Sequence, residues 1–331
     1  MQSIERSRFE DLVREMRVIQ QHFLNFHSVN DIWSNSKIYE VIQANTLGHA
    51  MIPGHSGSLD AKDELGREYE YKHFKETSSN HSWTFNDYSD ATIKKLSEKV
   101  HAVVFAHIND SKFPPELDWA YEVPGSTVAD YLATYTRGMK NARRMINISA
   151  NQLEGRTQAR KRSYRTTIHE GPYGPELSRI FKLIPELEGI VGVSGVLTSN
   201  KFWEVLVSLP LGHTVNSEQG GRAGAHDAFD ADGGDYEYKV SKSKSWNFQD
   251  ISPAVLEKYL GCEEIVLAIV DKTNISVESV WFAKPEFVVD RLKTKLSAKL
   301  DSYKQKNKEV RRVQASLSAG DLSLIHARRV V

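Results

Sequence analysis

Two sets of acidic and lysine residues recur in the chain with the same spacing. In each set a glutamate stands ten residues after an aspartate, and a lysine stands two residues beyond the glutamate. The sets are Asp60, Glu70 and Lys72, and Asp227, Glu237 and Lys239. Carboxylate oxygens are the ligands that Mg²⁺ and Mn²⁺ prefer, and an ammonium group beside such an ion can hold a water nucleophile or neutralise charge on phosphorus oxygens. The residue types therefore indicate metal-dependent phosphoryl chemistry.

A further glutamate precedes each set on a segment with helical spacing. Glu40 and Glu204 could supply another oxygen to the metal ion or orient the lysine. Lys37 and Lys201 precede them by three residues, a spacing that also produces ordinary ion pairs on a helix surface. The sequence leaves both interpretations open.

Other residues near the two sets have structural interpretations. Asp63 and Asp230 are alternative metal ligands, but they open a turn, where aspartate bonds to the backbone. His49 and His213 follow a helix-ending glycine, a position typical of packing or helix-dipole residues. The aromatic residues predicted to lie in the core are Trp83, Phe85, Trp246 and Phe248.

Both sets belong to an internal repeat. The matching segments are 34–49 with 198–213, 54–72 with 221–239, 82–87 with 245–250, and 101–108 with 264–271. Ten of the nineteen positions in the second pair are identical. The offset of 163 to 167 residues is the size of a domain, since solenoid repeats run about 20–50 residues. We therefore predict an N-terminal repeat 1–165 and a C-terminal repeat 166–331, with a boundary near Arg165.

Each repeat is predicted to fold as a helix, a hairpin, and then further strands and helices. Apolar residues recur at helical spacing around Glu40, after a cap signal at Ser34 and Asn35. The next segment indicates two strands joined by a turn, and alternation places Glu70 and Lys72 on one face of the second strand. Apolar segments at 103–105 and 265–267 indicate buried strands, and residues 126–150 and 285–314 indicate mostly helical ends. The predicted class is α/β.

Composition limits the classes of protein to which the chain can belong. Its 331 residues suffice for about two domains of roughly 150 residues each. With 43 basic and 43 acidic residues, any affinity for a polyanion must come from local clusters. The single cysteine, Cys262, excludes an intramolecular disulfide and fits a reducing compartment. The first residues lack an apolar signal region and no long apolar run follows, so we expect a cytoplasmic protein without a membrane partner.

The two acid–acid–lysine sets resemble the motif of the PD-(D/E)xK nuclease superfamily and, within it, of the type II restriction endonucleases. The resemblance rests on Asp60 with the segment 70–72 and on Asp227 with the segment 237–239, each on a hairpin after a glutamate-bearing helix. It covers about 35 residues of each repeat. Leu59 and His226 stand where the motif has its proline, which is a departure from the pattern.

This resemblance implies a fold and an activity. The fold would be two tandem restriction-endonuclease-like αβββαβ units with mixed central sheets, related by pseudo-two-fold symmetry. The activity would be Mg²⁺-dependent hydrolysis of double-stranded DNA at a specific site, with Mn²⁺ as a substitute ion and both strands cut by a monomer with pseudo-dimeric halves. The catalytic residues would be Asp60, Glu70, Lys72, Asp227, Glu237 and Lys239, with Glu40 and Glu204 added to the metal ligands. A cognate methyltransferase would be a genetic partner that protects the host's DNA.

Two other functions agree with the same resemblance. One is a repair or recombination nuclease that recognises DNA structure, and the other is a catalytically silent DNA-binding module. Both acid–acid–lysine sets are complete, which favours catalysis. Lys75 and Lys242 could clamp phosphates beside the cut or lie in solvated turns. The basic residues that could contact DNA elsewhere are Arg156, Arg160, Lys161, Arg162, Arg165, Lys304, Lys306, Lys308, Arg311 and Arg312.

Overall fold

The chain forms two compact units, here called the N-terminal unit (Val18–Pro185) and the C-terminal unit (Met1–Arg17 with Glu186–Val331). The computed structural model describes residues 3–33, 37–53, 59–139, 144–157, 159–165, 167–197, 201–216, 226–305 and 313–331. The boundary predicted near Arg165 lies inside the N-terminal unit. Two long helices, Ser3–His27 and Gly174–Val191, each contribute residues to both units.

The N-terminal unit is built on a mixed sheet of six strands. The elements up to its end are α1 (Ser3–His27), α2 (Lys37–Leu47), β1 (Ala50–Met51), β2 (Ala61–Lys62), β3 (Glu68–Lys75), β4 (Ser82–Tyr88), α3 (Asp90–Lys99), β5 (Ala102–Asn109), β6 (Glu116–Pro124), α4 (Gly125–Tyr135), β7 (Arg144–Ser149), α5 (Ala150–Thr157), β8 (Lys161–Ser163) and α6 (Gly174–Val191). The sheet order is β1-β2-β3-β5-β6-β8, in which β3 and β5 pair in parallel and the other neighbours are antiparallel. Strands β4 and β7 form a separate antiparallel pair.

The C-terminal unit repeats this topology. Its further elements are α7 (Lys201–Leu211), β9 (Thr214–Val215), β10 (Ala228–Phe229), β11 (Asp235–Ser241), β12 (Ser245–Phe248), α8 (Pro253–Leu260), β13 (Glu264–Asp271), β14 (Ser276–Ala283), α9 (Pro285–Gln305), β15 (Ala315–Ser318), a 3₁₀ turn (Ala319–Asp321) and β16 (Arg328–Arg329). The sheet order is β9-β10-β11-β13-β14-β16, with β11 and β13 as its parallel pair. Strands β12 and β15 pair as β4 and β7 do.

The predicted α/β class is therefore confirmed as two similar halves, each with a mixed six-stranded sheet. The register agrees as well, because Glu70, the third residue of β3, lies opposite Val103, the second residue of β5, and Glu237, the third residue of β11, lies opposite Ile265, the second residue of β13. This pairing aligns β5 with β13 at an offset of 162 residues, one less than the sequence match of 101–108 with 264–271. The strand positions of the two glutamates are therefore the same in both sheets.

The central strands are buried on both faces, as their unbroken apolar sequences predict. All but the last residue of β5 are buried, and so are the six inner residues of β13. Trp83 and Trp246 pack against these strands and donate their indole N–H groups to Ala106 O (2.8 Å) and Ala268 O (2.9 Å). The core positions predicted for both tryptophans, and for Phe85 and Phe248, are confirmed.

The helical ends of the repeats were only partly predicted. Helix α4 and helix α9 form as expected, but Arg144–Ser149 is a strand rather than a helix. Ile146 and Ile148 are buried and lie two residues apart, a period that favours a strand face over a helix.

None of the helices that the structure describes combines the length and the apolar character needed to cross a lipid bilayer.

Candidate active sites

Each hairpin holds its aspartate beside the strand that carries the glutamate and the lysine. Asp60 lies directly before β2, and its N–H donates to Tyr69 O at 2.8 Å. Asp60 Oδ2 accepts a hydrogen bond from Tyr71 N at 2.7 Å, and Asp227 Oδ2 accepts one from Tyr238 N at 2.8 Å. In each half this hydrogen bond holds the aspartate carboxylate beside the tyrosine that lies between the glutamate and the lysine.

The glutamate and the lysine of each set form a buried ion pair. In both sites the glutamate side chain is 6% exposed and the lysine side chain is 18% exposed. Lys72 Nζ bonds to Glu70 Oε1, and Lys239 Nζ is 2.6 Å from Glu237 Oε1. Two acidic residues and one lysine are thus brought together in each half, as the spacing predicts.

A phenylalanine ring lies beneath each lysine. Lys72 Nζ is 5.5 Å from the centre of the Phe85 ring, and Lys239 Nζ is 5.6 Å from the centre of the Phe248 ring. A cation at this distance is attracted by the negative face of the ring. The position of the ammonium group is therefore fixed from two sides in both halves.

The helical glutamates lie beside the aspartates and keep their ion pairs. Lys37 Nζ bonds to Glu40 Oε2, and Lys201 Nζ is 2.7 Å from Glu204 Oε2. Burial, followed by the negative charge of the neighbouring aspartate, raises the pKa of Glu40 and of Glu204. In the second half Lys201 Nζ also lies 3.8 Å from Asp227 Oδ1. The pairs are therefore part of the two sites and do not lie on a solvated surface.

One oxygen of each strand glutamate is buried without a hydrogen-bond partner: Glu70 Oε2 and Glu237 Oε2. Buried carboxylate oxygens usually have a partner, and a bound ion or an ordered water would supply one here. The three carboxylates of each half do not bring one oxygen each within 4.8 Å of one another, since among the described residues only His22, His27 and Glu176 form such a group. Two ligand oxygens of one Mg²⁺ ion lie at most about 4.2 Å apart, so in this arrangement the three carboxylates do not all contact one ion, and one or two of them would hold it together with several waters.

The charge environment differs between the two glutamates. Burial raises the pKa of Glu70 to about 7, with Lys72 opposing the shift and Asp60 adding to it. Burial also disfavours the ionised form of Glu237, but Lys239, His226 and Lys258 together lower its pKa well below the usual range.

Lys258 and His226 account for this difference. Lys258 Nζ lies 3.1 Å from Glu237 Oε2, which is an ion-pair distance although the angles do not make a hydrogen bond. His226 Nδ1 lies 3.8 Å from the same oxygen. The first repeat has Leu59 in place of His226, and Lys95, its counterpart of Lys258, lies half-exposed on α3.

A tyrosine reaches each ion pair from a different position of the repeat. Tyr88 donates its hydroxyl to Glu70 Oε1 at 3.2 Å, and the Tyr259 ring lies 5.3 Å from Lys239 Nζ. At the offset of 163 residues, Tyr88 corresponds to Ile251 and Tyr259 to Leu96. Sequence comparison missed both tyrosines and Lys258, because it selected only residues that the repeats share near the motif.

The alternative candidates have structural roles. Asp63 accepts hydrogen bonds from Leu65 N and Arg67 N, and Asp230 accepts them from Asp232 N and Gly234 N. Both aspartates therefore stabilise the turns, as predicted.

His49 Nδ1 lies 2.9 Å from Tyr71 Oη, and His213 Nδ1 lies 2.8 Å from Tyr238 Oη. The histidines join the tyrosines on the face of the strand away from the ion pairs.

The basic residues are distributed unevenly. Lys75 Nζ lies 3.6 Å from Asp110 Oδ2, whereas Lys242 is exposed. Arg160, Arg165 and the residues of edge strand β8 are exposed, with Lys161 over the Trp119 ring at 4.0 Å. The predicted residues outside the described part of the chain are Ser34, Asn35, Lys306, Lys308, Arg311 and Arg312, together with the side chain of Arg156.

No protein-family model matches the chain, and comparison with curated protein sequences gives no significant match. The function therefore has to be argued from the sites, since one fold can carry many activities. The duplication inside the chain supplies a comparison for this purpose, because each half shows which features of the other half recur.

Proposed function

We propose that the chain is a Mg²⁺-dependent DNA endonuclease of the PD-(D/E)xK type, with one active site in each half. Its role would be that of a type II restriction enzyme, which cuts both strands of a specific duplex site. One observation carries the proposal: in two sheets of identical order, a buried glutamate and a partly buried lysine occupy the same strand positions beside a partly buried aspartate.

The recurrence of these side chains has no simple explanation in packing. Taking a glutamate and a lysine out of water costs free energy that apolar residues of similar volume would not cost. Neighbouring positions differ freely between the halves, with Lys62 against Phe229 and Arg67 against Gly234. The two polar sets remain complete, and Glu70 keeps a buried carboxylate oxygen without a hydrogen-bond partner, whereas the corresponding oxygen of Glu237 lies 3.1 Å from Lys258 Nζ. A requirement for a bound cation in each half would explain why the two acids and the lysine occur in both.

The residues divide the chemistry between them. Asp60 and Glu70 in one half, and Asp227 and Glu237 in the other, would hold Mg²⁺ or Mn²⁺, with Glu40 and Glu204 adjacent. When bound, the ion acts as a Lewis acid on the phosphoryl group and makes a bound water more acidic. Lys72 and Lys239 would hold the attacking water and neutralise charge on the phosphate oxygens.

Two sites in one chain match the two strands of a duplex. In this proposal the halves are restriction-endonuclease-like αβββαβ units related by a pseudo-two-fold axis, as are the scissile phosphates of a palindromic site. A monomer would then cut both strands, with a methyltransferase of the same specificity as its genetic partner. Exposed basic residues such as Arg160, Arg162 and Lys242 would contact the DNA backbone.

Digestion of a phage DNA of known sequence tests this function. With Mg²⁺ or Mn²⁺ the purified chain should give discrete fragments whose ends share one sequence, and the variant E70A/E237A should give none. The exposed hairpin variant Glu64→Ala is the matched control and should cut normally.

Two outcomes of the same test would overturn the proposal. Binding to DNA in Ca²⁺ without cleavage in Mg²⁺ or Mn²⁺ would favour a silent binding module. Cleavage confined to branched or damaged DNA would favour a repair or recombination nuclease.

A further inference from the structure

Two histidines and a glutamate form a second cluster in the N-terminal unit. His22 and His27 lie on α1, and Glu176 lies in the first turn of α6. One ligand atom from each residue lies within 4.8 Å of the other two, a convergence found once among the described residues. His22 Nε2 is 2.6 Å from Glu176 Oε1. The cluster shares no residue with the proposed nuclease sites.

The hydrogen bond to His22 leaves Glu176 incompletely satisfied. The Glu176 side chain is 10% exposed, and its Oε2 is buried without a hydrogen-bond partner. An unpaired buried carboxylate oxygen costs free energy, because it has lost its contacts with water and gained no replacement. Glu176 therefore contacts His22 through one oxygen and keeps its other oxygen buried without a partner.

The surroundings keep the imidazole rings in place. His27 packs against Phe23 and Tyr173, with ring centres 5.6 and 4.6 Å away, and His22 stacks on Phe26 at 4.4 Å. Tyr173 is itself fixed, because its hydroxyl accepts a hydrogen bond from Met51 N at 2.7 Å. Burial lowers the pKa of His27, which favours the neutral imidazole that binds metals.

We propose that His22, His27 and Glu176 bind a divalent transition metal of the Zn²⁺ class. Imidazole nitrogens with one carboxylate suit Zn²⁺, Co²⁺ or Ni²⁺, whereas Mg²⁺ prefers oxygen donors alone. Three protein ligands leave a fourth position of a tetrahedral ion for water. The ion would join α1 to α6 within the N-terminal unit and satisfy Glu176 Oε2. This inference stands on its own residues and holds whether or not the chain is a nuclease.

Calorimetric titration with ZnCl₂ tests the proposal on the full chain, without a polyhistidine tag, after treatment with a chelator. We expect one Zn²⁺ per chain to bind in the presence of excess Mg²⁺, and the thermal midpoint to rise with the Zn²⁺ concentration. His22→Ala, His27→Ala and Glu176→Gln should each weaken binding at least about 100-fold, since even indirect contacts to a metal contribute 10–100-fold. Co²⁺ should give the visible absorption of a tetrahedral site.

Two controls make the result specific. His81→Ala removes an exposed histidine and should leave Zn²⁺ affinity unchanged. E70A/E237A removes both strand glutamates and should also retain the Zn²⁺ site, which separates this proposal from the nuclease. Wild-type affinity in Glu176→Gln and both histidine variants, or no binding to the wild-type chain, would overturn it. In that case the cluster is only a histidine–glutamate hydrogen bond.

Discussion

The two candidate active sites share their carboxylates and lysine but differ in the charges around one glutamate. Glu70 faces Lys72 and the hydroxyl of Tyr88, whereas Glu237 faces Lys239, Lys258 and His226. The pKa of Glu70 is raised to about 7 by burial, and the pKa of Glu237 is lowered because the surrounding cations outweigh its burial. The two halves therefore share the groups proposed for catalysis and differ in the groups that shift the pKa of the glutamate.

The largest expected effect comes from removing one strand glutamate at a time. Glu70→Ala and Glu237→Ala should each slow the cutting of one strand at least about 10²–10³-fold, because each removes a ligand that stabilises the transition state. The product from supercoiled plasmid should therefore be nicked circles. Gel analysis of plasmid with a single site measures this, and linear product from either variant at the wild-type rate would show that the halves do not act on separate strands.

The next effect concerns stability at pH 7 in buffer without divalent ions. Glu237→Gln should lower the free energy of unfolding by about 3 kcal/mol, because it leaves Lys239 and Lys258 without their buried partner. Glu70→Gln should instead raise it by about 1–2 kcal/mol, because the cost of burying the Glu70 carboxylate exceeds the attraction of its partner Lys72. Urea unfolding of both variants measures the difference, and shifts of the same sign would contradict the proposed asymmetry.

The pH dependence sharpens the same contrast. The folded-state pKa of Glu70 is above its ordinary value of 4.5, so folding takes up a proton and the wild-type chain gains stability as the pH falls from about 7 toward 4.5. Below that window the advantage of Glu70→Gln should disappear. The contribution of Glu237 has the opposite sign, since it is present above pH 4.5 and is lost as the pH falls through its lowered pKa.

Urea unfolding of Glu237→Gln and the wild-type chain below pH 4.5 measures the contribution of Glu237, and urea unfolding of Glu70→Gln and the wild-type chain at several pH values between 4.5 and 8 measures that of Glu70. A constant difference between Glu70→Gln and wild type across this range would show that Glu70 has an ordinary pKa. The two sites would then be electrostatically alike despite their different neighbours.

The smallest expected effect belongs to Lys258. Lys258→Ala should lower the free energy of unfolding by about 1 kcal/mol, because one of the cations around Glu237 is lost. Lys95→Ala, at the equivalent position of the first repeat, should change it by less than about 0.5 kcal/mol. Equal effects of the two variants would mean that Lys258 does not distinguish the sites.

The duplication made much of the fold predictable from the sequence. Both hairpins, the helices that carry Glu40 and Glu204, and the strands that carry Glu70 and Glu237 lie where the repeated segments place them. Short-range patterns fix these elements, because turn residues, caps and period-two alternation act over a few residues. Because the same turns, caps and alternation occur in both repeats, they could be distinguished from patterns that arise by chance.

The remaining features depend on contacts between distant parts of the chain. Strand β7 pairs with β4 although about 60 residues separate them, and nothing in residues 144–149 identifies that partner. Tyr88, Tyr259 and Lys258 reach the sites through tertiary packing. The other repeat has no tyrosine at the positions equivalent to Tyr88 and Tyr259, and its equivalent of Lys258 lies half-exposed. The division of the chain at Arg17 and Pro185 falls inside the two long helices.

In the proposed nuclease, each half gathers its two acids and its lysine around one hard cation. Anomalous diffraction from crystals soaked in MnCl₂ tests it most directly. We expect two Mn²⁺ peaks per chain in these sites, one contacting Asp60 and Glu70 and the other contacting Asp227 and Glu237, with a lysine Nζ beside each. Absence of Mn²⁺ from both sites at saturating concentration, with the glutamate–lysine pairs unchanged, would contradict the claim and leave the pairs as structural salt bridges.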